Sequence, residues 1–102
     1  MVHVPQDWDL VQSNGFEVHI NTAQFGNNQE QLFGSGRSGD TFGTLQGHTQ
    51  SRFLTFTIRW NTGSVGVYNG FLNFNGIVTG STFDETHPES QALWHSLVPM
   101  TL

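Results

Sequence analysis

The 102-residue chain contains no cysteine and no lysine. Without cysteine no disulfide can staple the fold, and the redox compartment is left open. Without lysine, the cations reduce to Arg37, Arg52 and Arg59, scattered along the chain. That is too sparse for a basic patch against phosphates, so nucleic acid is not an expected partner. Only 11% of residues are charged, and the formal net charge is −5. No apolar run approaches the ~20 residues that cross a bilayer as a helix, so no membrane partner is expected. Met1–Gln6 shows no basic region followed by an apolar stretch, so no signal peptide is expected either. The compartment stays unassigned: cytoplasmic, or secreted with the signal removed.

Apolar bulk is present as aromatics, with nine Phe, three Trp and one Tyr making up 13% of the chain. That suffices for one core, and the length suits a single domain over residues 1–102. The periodicity is two. Phe16, Val18 and Ile20 alternate with Glu17, His19 and Asn21. Leu54, Phe56, Ile58 and Trp60 alternate with Phe53, Thr55, Thr57 and Arg59, the most regular strand pattern in the chain. In 64–73, Val65, Val67 and Phe71 fall on one face and Gly66, Tyr68, Gly70 and Leu72 on the other.

Asn14-Gly15, Asn61-Thr62-Gly63 and Asn75-Gly76 supply the positive-φ residues of tight hairpins. The pattern predicts strands over 6–13, 15–22, 30–38, 41–48, 52–60, 64–73, 76–83 and 96–102. Pro88, Glu89 and the Ala92-Leu93-Trp94 run predict one short helical turn over 88–95. Seven glycines inside predicted strands argue for the sharp coiling that closes a sheet. The expected fold is all-β: a small antiparallel eight-stranded up-and-down barrel with that helical turn near the C-terminus.

Catalytic and metal chemistry is thin. The five histidines show no zinc-ligand spacing, and no metal or cofactor is expected. Asp84, Glu85, His87 and Glu89 form an acidic loop that could hold a hard cation weakly; a solvated turn is the ordinary reading of such a cluster. Glu17 and His19 share the polar face of a strand, which needs no catalytic explanation. There is no Cys nucleophile and no Gly-x-Ser-x-Gly elbow. A non-catalytic binding protein is the expectation. The aromatic residues Trp8, Trp60, Tyr68 and Trp94 are its candidate platforms, with Trp94, beside His95 and Ser96, suited to an exposed or interface position.

Several segments resemble the avidin and streptavidin family. They are Trp8 with the hairpin to Phe16-Glu17-Val18, Leu32–Ser38, Phe56–Asn61, Ser64–Gly70 and Ala92–Val98. The resemblance implies a barrel with a small-molecule site near Trp60, Tyr68, Trp94, Ser64, Ser38, Asn14 and Trp8, and assembly as a homodimer or homotetramer. In the same alignment Leu10, Gly36, Gly66 and Thr101 stand where the family has polar ligand contacts, which argues against tight biotin binding. The residues themselves leave three readings: a small partly apolar ligand against Trp60 and Tyr68, with Ile58 and Phe56 as pocket floor; a glycan held by aromatic faces and side-chain amides and hydroxyls; or a filled, structural homo-oligomer. The Val65/Val67/Phe71 face or Trp94 is the expected contact between copies.

Overall fold

The computed structural model describes residues 1–27 and 29–102. Eight strands follow one another: β1 (Asp7–Gln12), β2 (Glu17–Phe25), β3 (Gln31–Ser38), β4 (Thr41–Gln50), β5 (Phe53–Trp60), β6 (Val65–Leu72), β7 (Val78–Asp84) and β8 (His87–Ser96). Each pairs antiparallel with the next, and β8 returns to β1 through Leu10↔Ser96 to Gln12↔Trp94. The sheet is a closed barrel. Closure leaves no edge strand to template aggregation.

The predicted alternation sets the inside of the barrel. Trp8, Leu10 and Gln12 of β1, Leu54, Phe56 and Ile58 of β5, and Tyr68 and Leu72 of β6 are all buried, while Phe53, Arg59 and Asn69 face outward. Gly34 and Gly80 show why the sheet coils so tightly. A Cβ on either would run into the backbone carbonyl of the neighbouring strand, at Asn21 and Asn69 respectively. Only glycine allows two strands to cross that closely.

The helical turn expected over 88–95 is not present. Residues 87–96 form β8, and Ala92, Trp94 and Ser96 point inward while Leu93 and His95 point out. Pro88 and Glu89 fall in the register shift next to Phe83/Asp84, where Asp84 pairs with His87 and Phe83 with Gln91. A bulge tolerates proline because the ladder hydrogen bond is already interrupted. The helix signals were genuine locally, but ring closure needs an eighth strand here. The strand expected over 96–102 reduces to a single bridge, Thr101 to His3.

That bridge belongs to a plug over one end of the barrel. Val2 and Met100 are buried, Met100 N–H donates to Gly76 O, and His3 N–H donates to Thr101 O. Gln24 ties the N-terminal segment down, accepting from Val4 N–H at 2.9 Å and donating to Val2 O at 3.0 Å.

Candidate functional site

Above the plug lies an aromatic layer centred on Phe56. Tyr68 stacks on it at 4.8 Å with planes 7° apart, while Trp8 and Trp94 meet it edge-on at 6.1 and 5.9 Å. Trp94 donates its indole N–H to Ser81 O at 3.0 Å. Trp8 and Trp94 are each 2% exposed. Trp94 is therefore interior, inside the last strand, and not the exposed residue expected from the sequence. Its ring fits because Gly70 has no side chain; a Cβ there would lie 2.7 Å from it.

Beyond this layer the barrel is open. A cavity of about 300 Å³ occupies the end bounded by the β1–β2, β3–β4, β5–β6 and β7–β8 hairpins. Its apolar wall is Trp60, Phe16, Val18, Phe83 and Ala92; hydroxyls come from Ser38, Thr41, Thr62, Ser64, Thr82 and Ser90, and amides from Gln12, Asn14 and Gln91. The space exists because inward positions that carry large side chains lower in the barrel carry small ones here. Gly66 is one of them: a Cβ on it would meet Tyr68 Cε1 at 3.0 Å and Trp60 Nε1 at 3.4 Å, across the gap between the two rings.

Five of the seven residues singled out from the sequence line this cavity: Trp60, Tyr68, Ser64, Ser38 and Asn14. Trp8 and Trp94 do not; they lie in the layer beneath. The floor differs from the sequence reading too. Phe56 is covered by Tyr68, and Ile58 packs against Gly36, where a Cβ would come within 2.8 Å of Ile58 Cδ1. Tyr68 is the floor instead.

The polar part of the floor is a chain of hydrogen bonds. Tyr68 OH donates to Gln12 Oε1 at 2.8 Å, and Gln12 Nε2 donates to Asn14 Oδ1 at 3.2 Å. Burial pushes the Tyr68 phenol up to about 12, with the Thr82 hydroxyl pulling the other way. The rim carries the other titratable group of the lining, Asp84. The Thr86 hydroxyl, at 2.8 Å, and then its backbone N–H, at 3.0 Å, both donate to Asp84 Oδ1 and hold the carboxyl below its ordinary range. Gln12, Thr41, Thr82, Ser90 and Gln91 are not singled out by the sequence, which marks Asp84 only as part of the acidic loop and not of the cavity. The phase of β1 could have found Gln12, a polar residue in register with inward Trp8 and Leu10.

The chain matches no family model, no curated protein and no solved structure. What the cavity can hold is read from its walls alone.

Two other clusters lie outside it. His19 does not pair with Glu17; its Nδ1 sits 2.9 Å from Asp9 Oδ1 and its Nε2 3.5 Å from Asp7 Oδ1, on the outer surface of β1 and β2. The acidic loop is organised by Thr86 around Asp84, and His87 turns toward Glu89 at 3.7 Å. Among the described residues no group of three or more His, Asp or Glu is placed to share a metal ion.

Proposed function

We propose that this protein is a non-catalytic binding barrel, avidin-like in shape, that holds one small, partly apolar ligand in its open mouth against Trp60 and Tyr68. The observation that carries this reading is the cavity itself: about 300 Å³ left unfilled at one end of a barrel whose other end is occupied by buried side chains such as Val2, Leu72 and Met100. Small-molecule sites are concave and mostly apolar with a few convergent polar groups, and barrel mouths are a favoured place for them. A filled structural barrel would have larger side chains where Gly66, Ser38 and Ala92 stand. The non-catalytic part rests on proton chemistry. Among the described residues the lining's titratable groups are Tyr68 and Asp84, one held far above neutrality and the other far below. Neither is matched to proton transfer near pH 7.

The hydroxyl and amide ring around Trp60 favours a second reading, a glycan whose sugar face stacks on the indole. A thermal-shift screen of small heterocycles beside a glycan array separates the two. Stabilisation by heterocycles, lost in Trp60→Phe, supports the first; array signal with no heterocycle response moves the site to the second. Biotin serves as a negative probe. Leu10 is wholly buried, and Thr101 lies in the plug at the opposite end, so neither supplies a polar contact in the mouth. Each missing buried hydrogen bond costs ~1–3 kcal/mol, so a nanomolar calorimetric isotherm for biotin would overturn this assignment.

We also propose assembly as a homodimer or homotetramer through the outer face carrying Val65, Val67 and Phe71, where Phe71 meets Phe53 at 5.3 Å. Light scattering tests this, and a monomer at micromolar concentration would refute it.

A further inference from the structure

The sign of charge in the mouth narrows the ligand further. Among the described residues, no Arg or His lines the cavity, and the chain has no Lys. The one ionised group on the lining is Asp84 at the rim. Its two short hydrogen bonds, from the Thr86 hydroxyl and backbone N–H, converge on Oδ1, and the Val65 backbone N–H adds a smaller pull on the carboxylate. The surroundings reinforce the sign. Glu85 and Glu89 flank the same hairpin, and the one basic side chain there, His87, lies 3.7 Å from Glu89 as well as near Asp84, so acidic groups outnumber it. Arg59 and Arg37 are exposed on the outer surface of the barrel, and Arg52 reaches Leu72 O at the plugged end.

An acid entering this mouth would meet a carboxylate and find no cation to answer it. A neutral sugar would leave that carboxylate unused. An ammonium group on a ring system would satisfy both parts of the site: its ring lies along Trp60 and over Tyr68, and its charge meets Asp84 while remaining in the field of the aromatic faces. We infer that the mouth selects a small organic cation, a ring-bearing ammonium, with Asp84 as its counter-ion. This rests on reading the cavity as a binding site.

Three probes with one ring and different charge test it by calorimetry: tryptamine as cation, tryptophol as neutral analogue and indole-3-acetate as anion. Tryptamine should bind ~3–5-fold more tightly than tryptophol, the gain a partly exposed charge pair supplies, and indole-3-acetate more weakly than both. The advantage should shrink as salt is raised. Asp84→Asn keeps an oxygen for Thr86 and should bring the ratio of tryptamine to tryptophol affinity down to about one. Glu85→Gln removes the same charge from the same hairpin and should leave the ratio nearly intact. Equal binding of tryptamine and tryptophol overturns the charge inference while the cavity reading stands. So does an equal fall in both Asp84→Asn and Glu85→Gln, which would mean diffuse attraction without a counter-ion. Silence from all three probes overturns the inference together with the reading it rests on.

Discussion

The two ends of this barrel are built from the same eight strands and the same alternation, yet one is sealed and the other open. At the sealed end Val2, Leu54, Leu72, Val78 and Met100 fill the interior, and the chain termini bridge across it through His3 and Thr101. At the open end the equivalent inward positions carry Ser38, Thr41, Gly66 and Ser90, and among the described residues no segment crosses over them. The strands' backbone is paired all the way up on both sides of β5, so the difference lies in side-chain volume and not in the sheet. One half of the molecule is spent on holding the fold, and the other half is free to give up packing for space. Stability should therefore respond to substitution at the sealed end and in the aromatic layer, and binding to substitution at the mouth.

The largest effect falls on Phe56. It is 1% exposed and touches Trp8, Tyr68 and Trp94 together. Phe56→Ala should lose ~3–5 kcal/mol, the usual cost of emptying a buried aromatic site, and much of the margin of a domain this size. Urea unfolding measures it. A loss under about 1 kcal/mol would mean that the aromatic layer is not what separates the packed half from the open one.

Much of this division can be read in the sequence, and the part that cannot has a physical reason. The alternation of Leu54, Phe56, Ile58 and Trp60 gives the inward face of β5 directly, because residue size and polarity change at every step. Trp60 stands next to a turn signal, which places it at a rim. The eighth strand is hidden because Pro88, Glu89 and Ala92-Leu93-Trp94 carry local helix preferences that ring closure overrides. The interior place of Trp94 is hidden for the same reason: as a strand residue it alternates with Leu93 and His95 and has to point inward. Trp8 lies near the start of β1, far from the open end, so it does not reach the mouth that the resemblance implies for it. Which of four tryptophan and tyrosine rings reach a shared cavity depends on strand direction and register, which no local pattern records. The cavity's polar floor is hidden too, since the bond between Tyr68 and Gln12 spans 56 positions in the chain.

An intermediate effect belongs to the boundary between the halves. Tyr68 is the only tyrosine, so phenolate absorbance in the near ultraviolet reports it alone. Its folded pKa of about 12 stands above the ~10 of an unfolded tyrosine. Between these values the unfolded chain gives up the proton while the folded one keeps it, so stability falls as pH rises. The contribution is whole below pH ~10 and is lost progressively up to ~12, amounting to ~2–3 kcal/mol. A native titration midpoint near 10 would show that water reaches the phenol freely and that the open half extends below the layer described.

The smallest expected stability effect, and the sharpest test of the division, is at Trp60. It is half-buried at the end of β5, packed on one side against the core and bordering the cavity on the other. Trp60→Phe keeps an aromatic ring on the core side and should cost under ~1 kcal/mol, because a half-buried indole gives up little buried apolar area. Its binding cost should be greater than its stability cost, because the smaller ring offers a ligand less stacking area and lacks the indole N–H beside Gly66. Trp60→Ala, losing partial burial only, should fall well short of the Phe56→Ala penalty. Melting temperature and affinity for a neutral ring probe, measured on both variants, decide the matter. If Trp60→Phe keeps full affinity but loses as much stability as a core substitution, Trp60 belongs to the packed half and the platform must be sought elsewhere on the mouth. If stability holds and affinity drops, the two halves of the barrel are separable in function as they are in packing.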